Sequence, residues 1–299
     1  MFSLPKNVTL IEVGPRDGLQ NENNSIPTDQ KLAFIHALQN AGVREMEITS
    51  FVSPKWVPQM ADAAEIVHRV KKLGRQLVLT PNARGAENAL ESGAESFAVF
   101  VGVSDTFNRH NINRSTAESM ELLQPIITQA KKEGHFVRAC ISTAFHCPYE
   151  GFISPAQTMA LCQQFVRMGV DELSVADTDG MANPSASYSL FLALKEQFPD
   201  ILITAHFHDT RKLGLANIYA SLQAGVDRFD TSAGGLGGCP FAPGATGNVA
   251  TEDVLYLLDS LEIETGIDRE KICAAVDTVA PYLSRPIETA MYNLYKRNH

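Results

Sequence analysis

The chain has 299 residues, 44% hydrophobic and 20% charged, which excludes general disorder and suits one α/β barrel of roughly 250 residues with additions. With 34 acidic against 25 basic residues the formal charge is −9, so no nucleic-acid partner is expected. No apolar run reaches the roughly 18 residues of a membrane span, and five scattered cysteines make no disulfide framework, so the expected setting is soluble, reducing and cytoplasmic.

Short apolar runs alternate along the chain with longer amphipathic stretches. The runs at 8–13, 46–49, 77–80, 97–100, 137–142, 173–176, 201–207 and 228–231 read as strands. Between them, 28–39 reads as a helix stopping before Ala41-Gly42, and 57–73 carries Val57, Met60, Ala64, Val67 and Val70 at helical spacing. Segments 116–132, 157–168, 185–198 and 215–224 continue the pattern, several of them ending at glycine. This alternation predicts a parallel sheet with helices outside. An open doubly wound sheet fits too, but eight units within about 230 residues favour an α/β fold closed as a (β/α)8 TIM barrel. Beyond the last strand, a glycine-rich loop and helices over 251–262 and 269–282 are expected as an addition to the barrel. The whole of 1–299 then reads as one catalytic domain, with the barrel at about 7–235 and the addition at about 234–299.

The polar residues Asp17, Glu47, Asp177, His206 and His208 fall at or just past the ends of different strands, which a barrel gathers on its C-terminal face. In His206-Phe207-His208-Asp209, alternate residues of a strand share a face, so both imidazoles can address one divalent ion while Phe207 faces the helices. Two unrelated loop histidines are the alternative. Asp209 either orients a histidine or caps the next segment.

Arg16-Asp17-Gly18 offers a cation for a thioester oxygen or enolate and a hard carboxylate ligand, or else a plain surface turn. Gln20 is positioned to meet Arg16 or substrate. Glu47, flanked by apolar neighbours, needs a partner if it faces inward, and Arg16 is the candidate. Asp177 can hold substrate or take a proton, or it can cap a turn. In Gly234-Gly235-Leu236-Gly237-Gly238-Cys239-Pro240, a mobile loop can carry the Cys239 thiol over a ligand. This loop is neither a Walker loop nor a dinucleotide fingerprint. Asn248 can add an amide oxygen to a metal site or sit in a turn. Cys162 and Cys273 read as buried helical thiols, and His110 and Asn111 as a solvated loop.

As whole motifs, EVGPRDGLQNE (12–22), EITSFVSPKWVPQM (47–60), NINRS (111–115), CPYEG (147–151), HFHDT (206–210) and GGLGGCPFAPGATGNVATEDVLYLL (234–258) resemble the 3-hydroxy-3-methylglutaryl-coenzyme A lyases. The resemblance implies a metal-dependent TIM barrel, commonly dimeric, that cleaves 3-hydroxy-3-methylglutaryl-CoA to acetyl-CoA and acetoacetate with Mg²⁺ or Mn²⁺, late in leucine breakdown. It implies Asp17, His206, His208 and Asn248 as metal ligands. Arg16 would be the catalytic arginine, with Glu47 as its supporting acid. Asp177 and Cys239 would be catalytic-site residues, and His206 would share in proton transfer. Coenzyme A would enter only as part of substrate and product.

Familiar members read YVSCxxGCPYEG and SLGDTIGVG where this chain has CISTAFHCPYEG (140–151) and SVADTDGMA (174–182). Cys140 thus stands for a tyrosine and His146 for a glycine, a change that can alter substrate preference. A related 3-hydroxy-3-alkyl-acyl-CoA is therefore the alternative substrate. A Claisen-type synthase, condensing acyl-CoA with an oxo acid, is the alternative reaction.

Overall fold

In a computed structural model, which describes residues 4–238 and 247–299, eight parallel strands close into a barrel. They are β1 (Thr9–Glu12), β2 (Glu45–Ser50), β3 (Arg75–Leu79), β4 (Ser96–Gly102), β5 (Phe136–Ser142), β8 (Glu172–Asp177), β9 (Leu202–Phe207) and β10 (Arg228–Thr231). A hairpin of β6 (His146–Cys147) and β7 (Gly151–Phe152) interrupts the count after β5. Each barrel strand pairs with its neighbour in sequence, and β1 closes on β10 with Ile11 opposite Asp230 and Glu12 opposite Thr231.

Around the barrel run α1 (Thr28–Asn40), α2 (Ala63–Arg69), α3 (Ala83–Glu91), α4 (Asp105–Ile112), α5 (Thr116–Lys132), α6 (Pro155–Met168), α7 (Pro184–Gln197) and α8 (Gly214–Gln223). Helices α9 (Thr251–Ser260), α10 (Arg269–Val279) and α11 (Ala290–Asn298) form the C-terminal addition. Local chemistry sets their ends. Ser115 with Glu118 and Ser154 with Gln157 form reciprocal caps at the starts of α5 and α6, and Gly169 ends α6 at φ +88°.

The closed barrel agrees with the expectation from alternation, but some boundaries differ. The helix expected over 57–73 shortens to α2, preceded by a single turn at Pro58–Met60. The backbone leaves helical geometry at Val57 (φ −131°, ψ 80°) and again at Val70 (φ −70°, ψ 141°), and Asp62 just before α2 is engaged by Lys31 Nζ at 2.9 Å and Thr28 Oγ1 at 2.9 Å. Helices α3, α4 and α11 were not anticipated. His110 and Asn111, expected in a solvated loop, belong to α4, which Ser104 caps by accepting the Phe107 N–H at 3.1 Å. The His110 ring is stacked on Tyr149 with centroids 4.3 Å apart.

The core lies mainly between strands and helices. Phe207 faces outward as expected and packs on Phe191 and Phe145 at centroid distances of 5.9 and 6.4 Å. Inside the barrel, branched apolar side chains usually stack in layers. Here Ile11, Val13 and Leu77 make only a small apolar cluster, and charged side chains fill much of the rest. Glu45 takes Arg75 Nη1 at 2.7 Å and Arg228 Nη2 at 2.5 Å, and Arg228 reaches Glu172 at 3.3 Å. Above them Arg138, fully buried, pairs with Asp230 and stands 3.6 Å from Glu47. Buried ion pairs of this kind are poor evidence of net stability, but leaving one partner uncompensated costs about 3–5 kcal/mol.

Candidate metal and catalytic site

The site grows from a wide helical turn directly after β1. Gly18 N–H donates to Val13 O at 3.1 Å and Leu19 N–H to Gly14 O at 2.9 Å, five-residue spacings often found at functional sites. The turn sets Arg16 and Asp17 side by side at the C-terminal mouth of the barrel. Arg16 Nε donates to Glu47 Oε2 at 2.6 Å, and Arg16 Nη1 donates to Asp17 Oδ1 at 2.7 Å. The Arg16–Glu47 pairing expected from sequence is present, and the guanidinium is held between two carboxylates. Burial works against its charge, but Glu47 and Asp17 outweigh that and raise its pKa further.

Asp17, His206 and His208, all buried, bring one potential ligand atom each to within 4.8 Å of one another. The backbone of Asn248 bridges that of His208, placing the amide beside them. Asn248 Nδ2 donates to Asp17 Oδ2 at 2.7 Å and to Leu236 O at 3.0 Å, while its buried Oδ1 has no hydrogen-bond partner. An orphaned amide oxygen next to a carboxylate and two imidazoles is a mixed O/N donor set that suits a divalent ion. Gly237, at φ +111°, lets the backbone press against this group, since a Cβ there would meet Asn248 Nδ2 at 2.7 Å.

Burial pushes the Asp17 carboxyl up, but Arg16, His206, His208 and the Asn248 amide bring it below its ordinary value, so it is a ready anion. Gln20 Nε2 donates to Asp17 Oδ1 at 3.0 Å, so its observed contact is the candidate ligand and not Arg16.

Asp177 divides its work between its two oxygens. Oδ1 accepts N–H bonds from Met181 at 2.8 Å and Ala182 at 3.1 Å, whereas buried Oδ2 has no hydrogen-bond partner. Burial raises its pKa to about 6 despite those two bonds. One oxygen therefore organises the turn while the other is left for a proton or a ligand. Of the two roles open to Asp209, the second holds and its expected place beside a site histidine does not: its carboxylate accepts Gly214 N–H at 3.0 Å and Lys212 Nζ at 3.1 Å at the start of α8. The carboxylate seen on a site histidine is instead that of Asp230, 3.0 Å from His206 Nδ1.

Cys239 lies outside the described residues. The backbone leading to it is tied down, with Gly238 O accepting from Asn21 Nδ2 and Gly237 O accepting from Arg285 Nη2, both at 2.8 Å. Cys140 sits in the barrel with Sγ 3.9 Å from Glu47 Oε1, and His146 Nδ1 meets Asp179 Oδ2 at 2.6 Å.

The HMGL-like family matches residues 7–279. The chain belongs to the HMGL-like family. It is 44% identical over 294 residues to the hydroxymethylglutaryl-CoA lyase YngG of Bacillus subtilis, covering 98% of both chains. It is also 44% identical over 286 residues to a 3-hydroxy-3-isohexenylglutaryl-CoA/hydroxy-methylglutaryl-CoA lyase of Pseudomonas aeruginosa, covering 95% of both. A crystal structure of hydroxymethylglutaryl-CoA lyase from Pseudomonas aeruginosa superposes with a TM-score of 0.95 at 42% identity, covering 99% of each chain.

Among features that sequence reasoning missed in this HMGL-like barrel are two more buried acids behind the site. Glu12 accepts the N–H groups of Gly14 at 2.8 Å and Ala233 at 3.0 Å and the Thr251 hydroxyl at 2.7 Å. Glu252 accepts the Gly234 N–H at 3.0 Å. Together they tie the Arg16–Asp17 turn to the base of the glycine loop. Burial pushes both carboxyls up to about 7 from an ordinary 4.5.

Between those values the unfolded chain loses its protons first, so stability should fall as pH rises from about 5 to about 7 and then level off. At 1.36 kcal/mol per unit this is roughly 3 kcal/mol per group. His206, whose pKa is raised by Asp230 against burial, adds a loss of the same sign as pH climbs through its folded value. Urea midpoints measured with EDTA from pH 5 to 8 should therefore decline, and a constant or rising midpoint would contradict this account.

Proposed function

We propose that the chain is a divalent-metal-dependent hydroxymethylglutaryl-CoA lyase, cleaving (S)-3-hydroxy-3-methylglutaryl-CoA to acetyl-CoA and acetoacetate. The observation that carries this reading is the meeting of an Asp17–His206–His208–Asn248 donor set with the Arg16–Glu47 pair at one barrel mouth, in a chain of the HMGL-like family. Full-length similarity to lyases of that activity supports it. Magnesium or manganese held by those four residues would supply Lewis acidity to the substrate hydroxyl.

The protein's own groups account for the rest of the retro-Claisen cleavage. Loss of the C3 hydroxyl proton makes C3 a carbonyl and breaks its bond to C2, leaving the enolate of acetyl-CoA. Arg16 faces the thioester oxygen as charge develops there, and Glu47 fixes the guanidinium so that little reorganisation is needed. Asp177, with one oxygen unpartnered and a pKa of about 6, is suited to hold substrate or receive a proton. His206, with Nδ1 engaged by Asp230, serves here as a ligand. Cys239, on the glycine loop, protonates C2 of the enolate, giving acetyl-CoA. Gln20 supports substrate binding through Asp17.

The reading includes a homodimer working in the cytoplasm; among the described residues no helix is long and apolar enough to cross a membrane.

A second reading, with a longer alkyl group at C3, is favoured by Cys140, whose small side chain stands in the barrel beside Glu47 at the position where the resemblance implies a tyrosine. The similar Pseudomonas aeruginosa enzyme is named for an isohexenyl as well as a methyl substrate. A panel of 3-hydroxy-3-alkylglutaryl-CoA thioesters, assayed with Mg²⁺ and with Mn²⁺ and with products identified by mass, should show the methyl compound cleaved with the highest kcat/KM. Strong preference for a longer substituent would replace the methylglutaryl assignment and keep the lyase chemistry. Thiol release from acetyl-CoA and an oxo acid, without cleavage of any member of the panel, would instead indicate a synthase.

A further inference from the structure

Behind the candidate metal ligands stands a buried charged relay that neither the motifs nor the family assignment explains. Asp230, on β10, is 2% exposed, and Arg138, on β5, is fully buried. Asp230 Oδ2 receives the Ser174 hydroxyl at 2.8 Å and lies 3.0 Å from His206 Nδ1, while Arg138 Nη2 binds both Asp230 oxygens. On its other side Arg138 Nη1 is 3.6 Å from Glu47 Oε1, and Glu47 holds Arg16. The result is a sequence of contacts, His206–Asp230–Arg138–Glu47–Arg16, hydrogen-bonded at every link except Arg138–Glu47, which is an ion pair. It joins the candidate ligand set to the cation that faces the enolate.

A carboxylate can only accept, so Nδ1 of His206 must carry its hydrogen to bond Asp230. That leaves Nε2 as the nitrogen with which His206 can meet a cation. Arg138 and Ser174 donate to Asp230 and so keep it an anion with little room to turn. A salt bridge retained for stability alone would not need an imidazole at its end, and buried pairs are in any case a weak source of stability.

We propose that Asp230, clamped by Arg138 and Ser174, is a positioning residue for the lyase reaction: it fixes the Nδ1–H tautomer of His206, turning Nε2 to the divalent ion, and through Arg138 it keeps the Arg16–Glu47 pair in register with that ion. The inference rests on the metal-dependent reading above. Asp230→Asn preserves shape but offers an N–H to Nδ1, which stabilises the opposite tautomer with Nε2 protonated and unable to ligate. The same logic explains how an Asp-to-Asn change disables a catalytic triad.

The test combines Mn²⁺ titration followed by electron paramagnetic resonance, long-range ¹⁵N–¹H NMR of the histidine rings in metal-free protein, and separate kcat and KM values. Asp230→Asn should weaken Mn²⁺ binding about 10–100-fold, the range typical of groups that orient a metal-bound histidine. It should move the His206 NMR pattern from Nδ1–H to Nε2–H, and it should lower kcat more than it raises KM. Ser174→Ala should shift Mn²⁺ affinity in the same direction by less. Because Asp230→Asn leaves Arg138 without its counter-charge, Asp230→Asn/Arg138→Met is measured beside it as a charge-balanced variant.

His208→Ala serves as the reference. If it loses Mn²⁺ while a folded Asp230 variant keeps wild-type affinity and tautomer, the positioning role is wrong and the metal reading stands. If His208→Ala also keeps wild-type affinity, the metal reading itself fails. With the pH high enough to leave the His206 ring neutral, an Nε2–H tautomer in the metal-free wild type overturns the proposal without any variant.

Discussion

Arg16→Met is expected to lower kcat by roughly 10²–10³-fold, the cost of deleting one preorganised donor from a developing oxyanion, with KM changed only a few-fold. The reason lies in how the guanidinium is held. Glu47 and Asp17 engage it from two sides, and it is buried with them at the barrel mouth. In the proposed mechanism its interaction with substrate strengthens only as the thioester oxygen gains charge, so its loss should fall on the chemical step. Arg16→Lys should recover little, because a single ammonium cannot reproduce the planar fork that meets two carboxylates at once. Thermal midpoints must accompany the kinetics, since either change leaves Glu47 buried and under-compensated. A folded Arg16→Met enzyme with unchanged kcat would remove Arg16 from the mechanism.

Asp17→Asn and His208→Ala should abolish metal affinity and cleavage together. Asp17 is the only carboxylate in the buried three-residue donor cluster, and its surroundings hold it ionised. Replacing a charged oxygen donor by an amide should weaken Mn²⁺ binding by more than the roughly 10–100-fold seen for supporting groups. Calorimetric Mn²⁺ titration run beside the cleavage assay checks this directly. Full activity in EDTA-treated protein, or a loss of activity with metal affinity intact, would each count against the assigned ligand set.

Most of the barrel was legible because its strands are short and apolar and its helices end at glycine, and the candidate ligands were legible because their motifs are unusual. Helices α3 and α4 escaped because their sequences, such as ARGAENALE and DTFNRHNI, contain few large apolar residues; caps from Asn82 and Ser104 start them. The charged interior escaped for a different reason. Glu45 and Glu47, Arg138 and Cys140, Glu172 and Ser174, and Arg228 and Asp230 recur two apart within strands. That spacing marks a common face, and polar side chains on the inward face of a closed barrel must find one another. The period was visible in the sequence, but which acid meets which base depends on strands up to 183 residues apart, as for Glu45 and Arg228. Asp209 shows the converse: it neighbours the histidine pair in sequence, yet its carboxylate serves the next helix.

The seam where β1 meets β10 has a consequence for how the protein acquires its activity. Asn248 and Asp17, joined by a hydrogen bond, are separated by 231 residues, and the imidazole pair comes from the strand next to that seam. A nascent chain that has built β1 through β9 would own Asp17 and both histidines but not Asn248, and with β1 held only by β2 the open ring would keep Asp17 away from the histidines. On the proposed ligand set, metal capture is expected to follow closure of the ring. Manganese uptake followed in time after dilution from denaturant would report closure of the ring itself, and intermediates that are helical but unclosed would stay silent.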